Sequence, residues 1–350
     1  MEVKVSKVLR VHAAFAVALF VFGCGSNTSR QVSPPTGTSQ ASPTAPSGPS
    51  LASWWDTQSK GLRVVYGVPG ASIQAATTYA NDSYTGAATC MRKNLALFTS
   101  AAGNLDAASL PVGEPMTVAQ GAAPNATIAF SPSCNAALAY TPAGTQGLLI
   151  QGLAANPKTG SVTLPSGTLA AIVADSGTIL TASPAKDGSV ALQSIAFGGA
   201  PQSVTTLSTL GGMAFLPGAD SAIVADSAAN TVIEASRVTG ALSLTQIAAS
   251  QDGVGKPTAI GISADARWVA VANGKDGSVL RLDLASQTSP SRTICNCSPT
   301  KLEPLAGNFA FRLNDPGTGT VWAFDGAQAT PRIVFLPAAQ STAATQGAMR

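Results

Sequence analysis

Four of the five cysteines and a scatter of carboxylates are residues of this chain whose types could do chemistry in a folded body. Cys90, Cys134, Cys295 and Cys297 could form disulfides, bind a metal or cycle between redox states. Cys90 and Cys134 lie 44 positions apart, each just before an apolar run of similar character, so a bridge between them would tie two neighbouring units. Cys295-Asn296-Cys297 is a tight pair whose own bridge would be strained and easily reduced. Four cysteines allow three pairings, all left open here, and structural bridges are expected. Asp175, Asp187, Asp226, Asp276 and Asp315 fall at turn positions of successive units. A ring of such groups at one mouth of a channel could hold Ca²⁺ together with backbone carbonyls. Asp also satisfies the N–H groups of its own turn. With no Asp-x-Asp-x-Asp-Gly loop in the chain, turn chemistry is the expectation, and no catalytic, cofactor-binding or metal-binding residue is assigned.

The single histidine, His12, lies in the first 23 residues. The rest of the chain therefore has neither the commonest general base nor the commonest zinc ligand. A Ser-His-Asp triad is excluded, and no Gly-x-Ser-x-Gly elbow is present. Gly253-x-Gly255 and Gly317-x-Gly319 lack the third glycine or the Gly-Lys-Ser/Thr of a phosphate loop. No cofactor is expected.

Composition narrows the scaffold that must carry these residues. Only 11% of the chain is charged, against roughly 25% in typical soluble domains. The 34 glycines and 23 prolines imply frequent turns, and the 45% hydrophobic content supplies a core. Lys4, Lys7 and Arg10 against Glu2 account for +2 of the formal +3. A body this close to neutral has no field to attract phosphate-rich partners, so nucleic acid is not expected.

Residues 1–23 combine that basic start with an apolar run from Val11 to Phe22, too short to span a bilayer and suited to a secretory signal peptide. Val21-Phe22-Gly23-Cys24-Gly25 resembles the bacterial lipobox, although Phe22 is bulky for its position. The resemblance implies cleavage before Cys24 and lipidation of its thiol. Because Gly25 rather than Asp follows, it favours the outer membrane. Residues 25–50 are Ser, Thr, Pro, Gly, Gln or Asn apart from Arg30, Val32, Ala41 and Ala45. Without apolar periodicity this stretch reads as a disordered tether, about 30 Å across on average. The expected organisation is thus signal peptide 1–23, lipidated tether 24–50 and folded body 51–350.

The body repeats. Segments starting at Ile128, Ala171, Met213 and Ile260 are 43, 42 and 47 residues apart. Each holds three apolar runs separated by turns such as Asp175-Ser176-Gly177, Lys186-Asp187-Gly188 and Lys275-Asp276-Gly277, whose residues tolerate positive φ. A more polar fourth run follows, as at 202–207 and 242–247. Four-stranded units at this period predict an all-β propeller. Six full units are expected between about Tyr84 and Pro337. A two-strand remnant at 62–66 and 72–78 makes seven blades the favoured count and six the alternative. Trp268 and Trp322 sit at repeat positions and should be blade core; Trp54-Trp55 should pack at the ring edge rather than bind sugar.

The second runs Trp268-Val-Ala-Val-Ala-Asn273 and Ala222-Ile-Val-Ala-Asp226, each leading through a turn to Gly-Ser-Val or Asn-Thr-Val, resemble the YVTN repeat of secreted bacterial propellers. Trp, Ala or Leu replaces the tyrosine, and WD-repeat signatures are absent. Lactonase-type propellers of this superfamily often rely on histidine, which the body of this chain lacks. The expected function is that of a membrane-anchored envelope lipoprotein whose propeller is a non-catalytic scaffold for protein or cell-wall polymer. One alternative is a metal- or cofactor-dependent enzyme, lactonase- or dehydrogenase-like, using funnel carboxylates. Another is an outward-facing adhesin.

Overall fold

The computed structural model describes residues 48–336 apart from 154, 287 and 317–318. The signal peptide, Cys24 and the tether up to residue 47 lie outside the described residues.

Seven antiparallel sheets follow one another along the chain. Blade 1 holds β1 (Ser50–Asp56), β2 (Gly61–Val68) and β3 (Ala71–Thr78). Blade 2 holds β4 (Tyr84–Cys90), β5 (Leu95–Ser100), β6 (Asn104–Ser109) and β7 (Met116–Gln120). Blade 3 holds β8 (Thr127–Phe130), β9 (Ala136–Tyr140), β10 (Gln146–Gln151) and β11 (Lys158–Thr163). Blade 4 holds β12 (Ala170–Val173), β13 (Ile179–Pro184), β14 (Val190–Ile195) and β15 (Gln202–Leu207). Blade 5 holds β16 (Leu210–Phe215), β17 (Ala222–Asp226), β18 (Thr231–Ser236) and β19 (Ser243–Ala248). Blade 6 holds β20 (Pro257–Ile262), β21 (Trp268–Asn273), β22 (Ser278–Asp283) and β23 (Ser291–Ile294). Blade 7 holds β24 (Glu303–Pro304), β25 (Ala310–Arg312), β26 (Val321–Asp325) and β27 (Arg332–Leu336). The protein is an all-β, seven-bladed propeller.

The second strands explain why the repeat was legible. A strand buried on both faces reads as a continuous apolar run, and its successive side chains point to opposite faces. In β21, Val269 and Val271 pack toward blade 5 while Ala270 and Ala272 pack toward blade 7. In β17, Ala222 and Val224 meet blade 4 while Ile223 and Ala225 meet blade 6. Seven apolar clusters result, one at each interface between neighbouring blades. Their sequence runs around the ring, the last two lying between blades 7 and 1 and between blades 1 and 2.

Blade 1 departs from expectation. The two-strand remnant is preceded by a third strand, β1, which emerges directly from the Ser/Pro tract without the alternation that would announce it. Trp54 of β1 is buried with Leu305, Val321 and Leu336 at the interface with blade 7. Trp55 packs toward Tyr84 and Phe98 of blade 2. The tryptophan pair is therefore the hinge pin of ring closure.

β1 occupies the second position of its blade. Its turn to β2 carries Asp56 and the positive-φ residue Lys60, as the turn after β17 carries Asp226 and the positive-φ residue Asn230. The outer strand β3 lies beside the outer strand β27, and the five-residue link 79–83 reverses direction into the innermost strand β4. Among the described residues, no strand lies on the inner edge of β1.

Candidate functional site

The innermost strands of blades 2 to 7 surround a cavity of about 330 Å³ along the propeller axis. Ile128, Phe130, Ile172, Met213, Ile260 and Ile262 make its wall largely apolar. Glu303, a carboxylate on that wall, is bound by the buried guanidinium of Arg312, whose Nη1 also donates to the Asn314 carbonyl at 2.7 Å.

Arg92 crosses one mouth. It stands in the turn between β4 and β5, and its Nη1 and Nη2 donate to the carbonyls of Pro132 in blade 3 and Ile262 in blade 6, each at 2.8 Å. One side chain thus braces three blades. Burial lowers its pKa against the opposing pull of the Asp175 and Asp265 carboxylates, and its Nε is buried without a hydrogen-bond partner among the described residues.

Turns between first and second strands surround this mouth, and hydrogen bonds link them across blades. Asp175 of blade 4 accepts from the Ser133 N–H at 2.8 Å and hydroxyl at 2.6 Å in blade 3, and from the Gly218 N–H of blade 5 at 3.0 Å. Burial pushes this carboxyl up, but the hydroxyl and N–H donors outweigh it and hold the pKa below the usual value. Asp265 of blade 6 and Asn308 of blade 7 exchange two bonds, of 3.0 and 2.9 Å.

The other four turn carboxylates lie at the opposite face, after second strands, and each is bound locally. Asp187 accepts from the Ser189 N–H and hydroxyl. Asp276 accepts from Ser278 and pairs with Arg292. Asp315 pairs with Lys301 at 2.7 Å. Asp226 accepts from the N–H groups of Ser208, Thr209, Ala228 and Ala229 at 2.6–3.2 Å. The five aspartates therefore do not converge on one mouth. Among the described residues, no group of three or more His, Cys, Asp or Glu is placed to hold a metal ion.

Cys90, at the end of β4, is joined to Cys134 in the first turn of blade 3 with a Cα–Cα distance of 6.0 Å, beside the mouth that Arg92 crosses. Cys295 and Cys297 are joined to each other in the link between blades 6 and 7. Trp268 is flanked by the guanidiniums of Arg267 and Arg281, each 4.6 Å from its ring centre. Trp322 packs against the cluster between blades 6 and 7. Arg92 and Arg312 are the site residues that sequence reasoning passed over. The available signal was an arginine next to a turn in a chain with little charge.

No protein-family model matches the sequence, and a search of curated proteins finds no match. Among solved structures, the chain is similar to a functionally unknown protein from Desulfotomaculum acetoxidans, at TM-score 0.52 and 14% identity, covering 81% of this chain and 94% of that one. It is also similar to a chain of a nidogen/laminin complex, at TM-score 0.45 and 12% identity, over 70% and 93% of the two chains. A streptogramin B lyase structure aligns at TM-score 0.46 and 12% identity, over 74% and 84%. At these identities the likeness concerns the fold alone.

Proposed function

We propose that the protein is a lipid-anchored component of a bacterial envelope whose propeller, with a YVTN-like repeat, binds protein or cell-wall polymer without catalysing a reaction. The lipobox at Cys24 and the tether support the anchored half of this reading, with the outer membrane as the favoured address. The observation that carries the non-catalytic half is the engagement of the polar groups around the channel. Arg92 is tied to two carbonyls, Glu303 to Arg312, and Asp175 to two neighbouring turns. Groups locked into bracing blades are poorly placed to move protons on a substrate. Binding is then a matter for the turn-rich faces.

Two measurements test the two halves. Cells fed a labelled fatty acid should incorporate label into the protein and retain it with membranes, and Cys24→Ala should abolish both. Persistent label in that variant removes the anchor at Cys24. For the body, a thermal-shift series on residues 48–350 with Ca²⁺, other divalent metals and EDTA should be flat. A ligand at 100 times its dissociation constant adds about 2.7 kcal/mol, or roughly 5–10 °C for a domain of this size. A chelator-reversible rise of that order would replace the scaffold with a metal-dependent reading.

A further inference from the structure

We propose that the Cys295–Cys297 bridge is a thiol–disulfide exchange site that oxidises the two thiols of a protein or peptide partner. The site lies outside the channel, on the face that carries the turns after second strands, so the inference stands apart from the scaffold reading. An isolated chain oxidises one partner and then needs reoxidation before it can act again.

The argument starts from how little this bridge does for the fold. A disulfide stabilises chiefly by closing a loop in the unfolded chain, and more so for longer loops. Cys90–Cys134 spans 44 positions and ties blade 2 to blade 3. Cys295–Cys297 spans two, enclosing Asn296 alone, and so constrains little of the unfolded chain. A spacer of one residue also keeps a disulfide from its relaxed geometry, which favours exchange.

Other contacts hold the folded link in place. The Cys295 N–H donates to the Gly277 carbonyl at 2.9 Å, and the Thr258 hydroxyl donates to the Pro299 carbonyl at 2.8 Å. The Thr300 N–H donates to the Leu313 carbonyl at 2.9 Å. The link is seated directly on Gly277, where φ is +65° and a Cβ would come within 2.7 Å of the Cys297 carbonyl oxygen. Residues 295–300 are thus anchored at both ends whether or not the S–S bond is present.

The pair is placed for attack from solvent. Ile294, Asn296 and Ser298 are exposed and Cys297 is half-buried, whereas Cys295 is buried in the cluster between blades 6 and 7. A free thiol behaves as a small apolar group, so that cluster suits Cys295 in the reduced state as well. The exchange then runs in two steps. A partner thiolate attacks Sγ of Cys297, the bond between the two cysteines breaks, and Cys295 leaves as a thiolate that takes up a proton. The second partner thiol loses its proton and attacks the partner sulfur of the mixed disulfide, releasing the Cys297 thiolate, which is protonated in turn. The partner gains a disulfide, and the chain gains two electrons and two protons.

Alkylation and peptide mass spectrometry on the full-length oxidised protein test this. In a glutathione buffer that leaves structural disulfides intact, Cys295 and Cys297 should become alkylated while Cys90 and Cys134 stay linked. Two bridges that resist together, or yield together, overturn the proposal. In the same buffer the melting temperature should stay within about 4 °C of the oxidised protein; a larger fall would make the bridge a structural staple and overturn it. Oxidised protein mixed with a reduced Cys-x-x-Cys peptide, in the absence of oxygen, should convert about one peptide per chain to its disulfide. The Cys295→Ala/Cys297→Ala variant should convert none, and conversion by the variant equal to wild type overturns the assignment. If that variant fails to fold, the measurements on the wild-type protein decide alone.

Discussion

Asp226→Ala is expected to destabilise the propeller by about 3 kcal/mol. One carboxylate receives four backbone N–H groups, two from its own turn and two from the link between blades 4 and 5. Asp226 is 5% exposed, so its removal strands donors that water reaches poorly, at about 1–3 kcal/mol for each group left fully unsatisfied. Rehydration of the turn N–H groups keeps the total near the lower end. The melting temperature should fall by roughly 6–12 °C. Asp226→Asn retains one acceptor oxygen and should lose about half as much. Burial pushes this carboxyl up, but the N–H groups of Ala229, Ser208, Thr209 and Ala228 more than offset it and hold the pKa below the usual value. A depressed folded-state pKa gives stability that is complete above the unfolded-state value, near about 3.9, and is lost as pH falls through the lower folded value. Melting curves of wild type and Asp226→Ala should therefore converge as pH drops below about 4. Parallel curves from pH 7 to pH 3 would mean that the carboxylate charge contributes nothing.

The extent to which this architecture was readable follows from how local each signal is. Second strands announced themselves because both faces are buried, as the Val269/Val271 and Ala270/Ala272 division in β21 shows. Turns announced themselves through Asp and Gly, since Asp187 and Asp276 bond N–H groups only two residues away. β1 was hidden because its burial comes from the ends of the ring meeting: Trp54 packs on Leu305 and Leu336, more than 250 positions along the chain. β24 has two residues, too few to form a pattern. The distribution of aspartates over opposite faces was equally invisible, because which mouth a turn faces depends on its place in the blade. Arg92 meets Ile262 across 170 positions, and nothing in its neighbours along the chain marks that reach.

Phe311→Ala should cost about 3–5 kcal/mol, the range for truncating a well-packed aromatic core residue, and its partner Gly261 makes the mechanism separable. Phe311 is 1% exposed and lies edge-on to Phe309, with ring centres 5.4 Å apart at 90°. Its ring is pressed against the backbone of β20 at Gly261. A Cβ placed there would come within 2.7 Å of Cε1 and 2.9 Å of Cζ, closer than carbon atoms approach. Phe311 is almost fully buried and packed on Phe309, so moving its ring displaces other core side chains, and Gly261→Ala alone should cost about 1–3 kcal/mol through overpacking. The two effects should not add. With Phe311 cut to alanine, the methyl group at position 261 enters the cavity instead of the ring, and Gly261→Ala should become neutral or stabilising. The double variant should thus be more stable than the sum of single losses predicts by about 1–3 kcal/mol, a coupling readable from denaturant unfolding of all four proteins. Additivity within about 0.5 kcal/mol would show that the two blades do not meet at this contact. A large coupling would show that glycine at 261 is there to let blade 7 press against the innermost strand of blade 6.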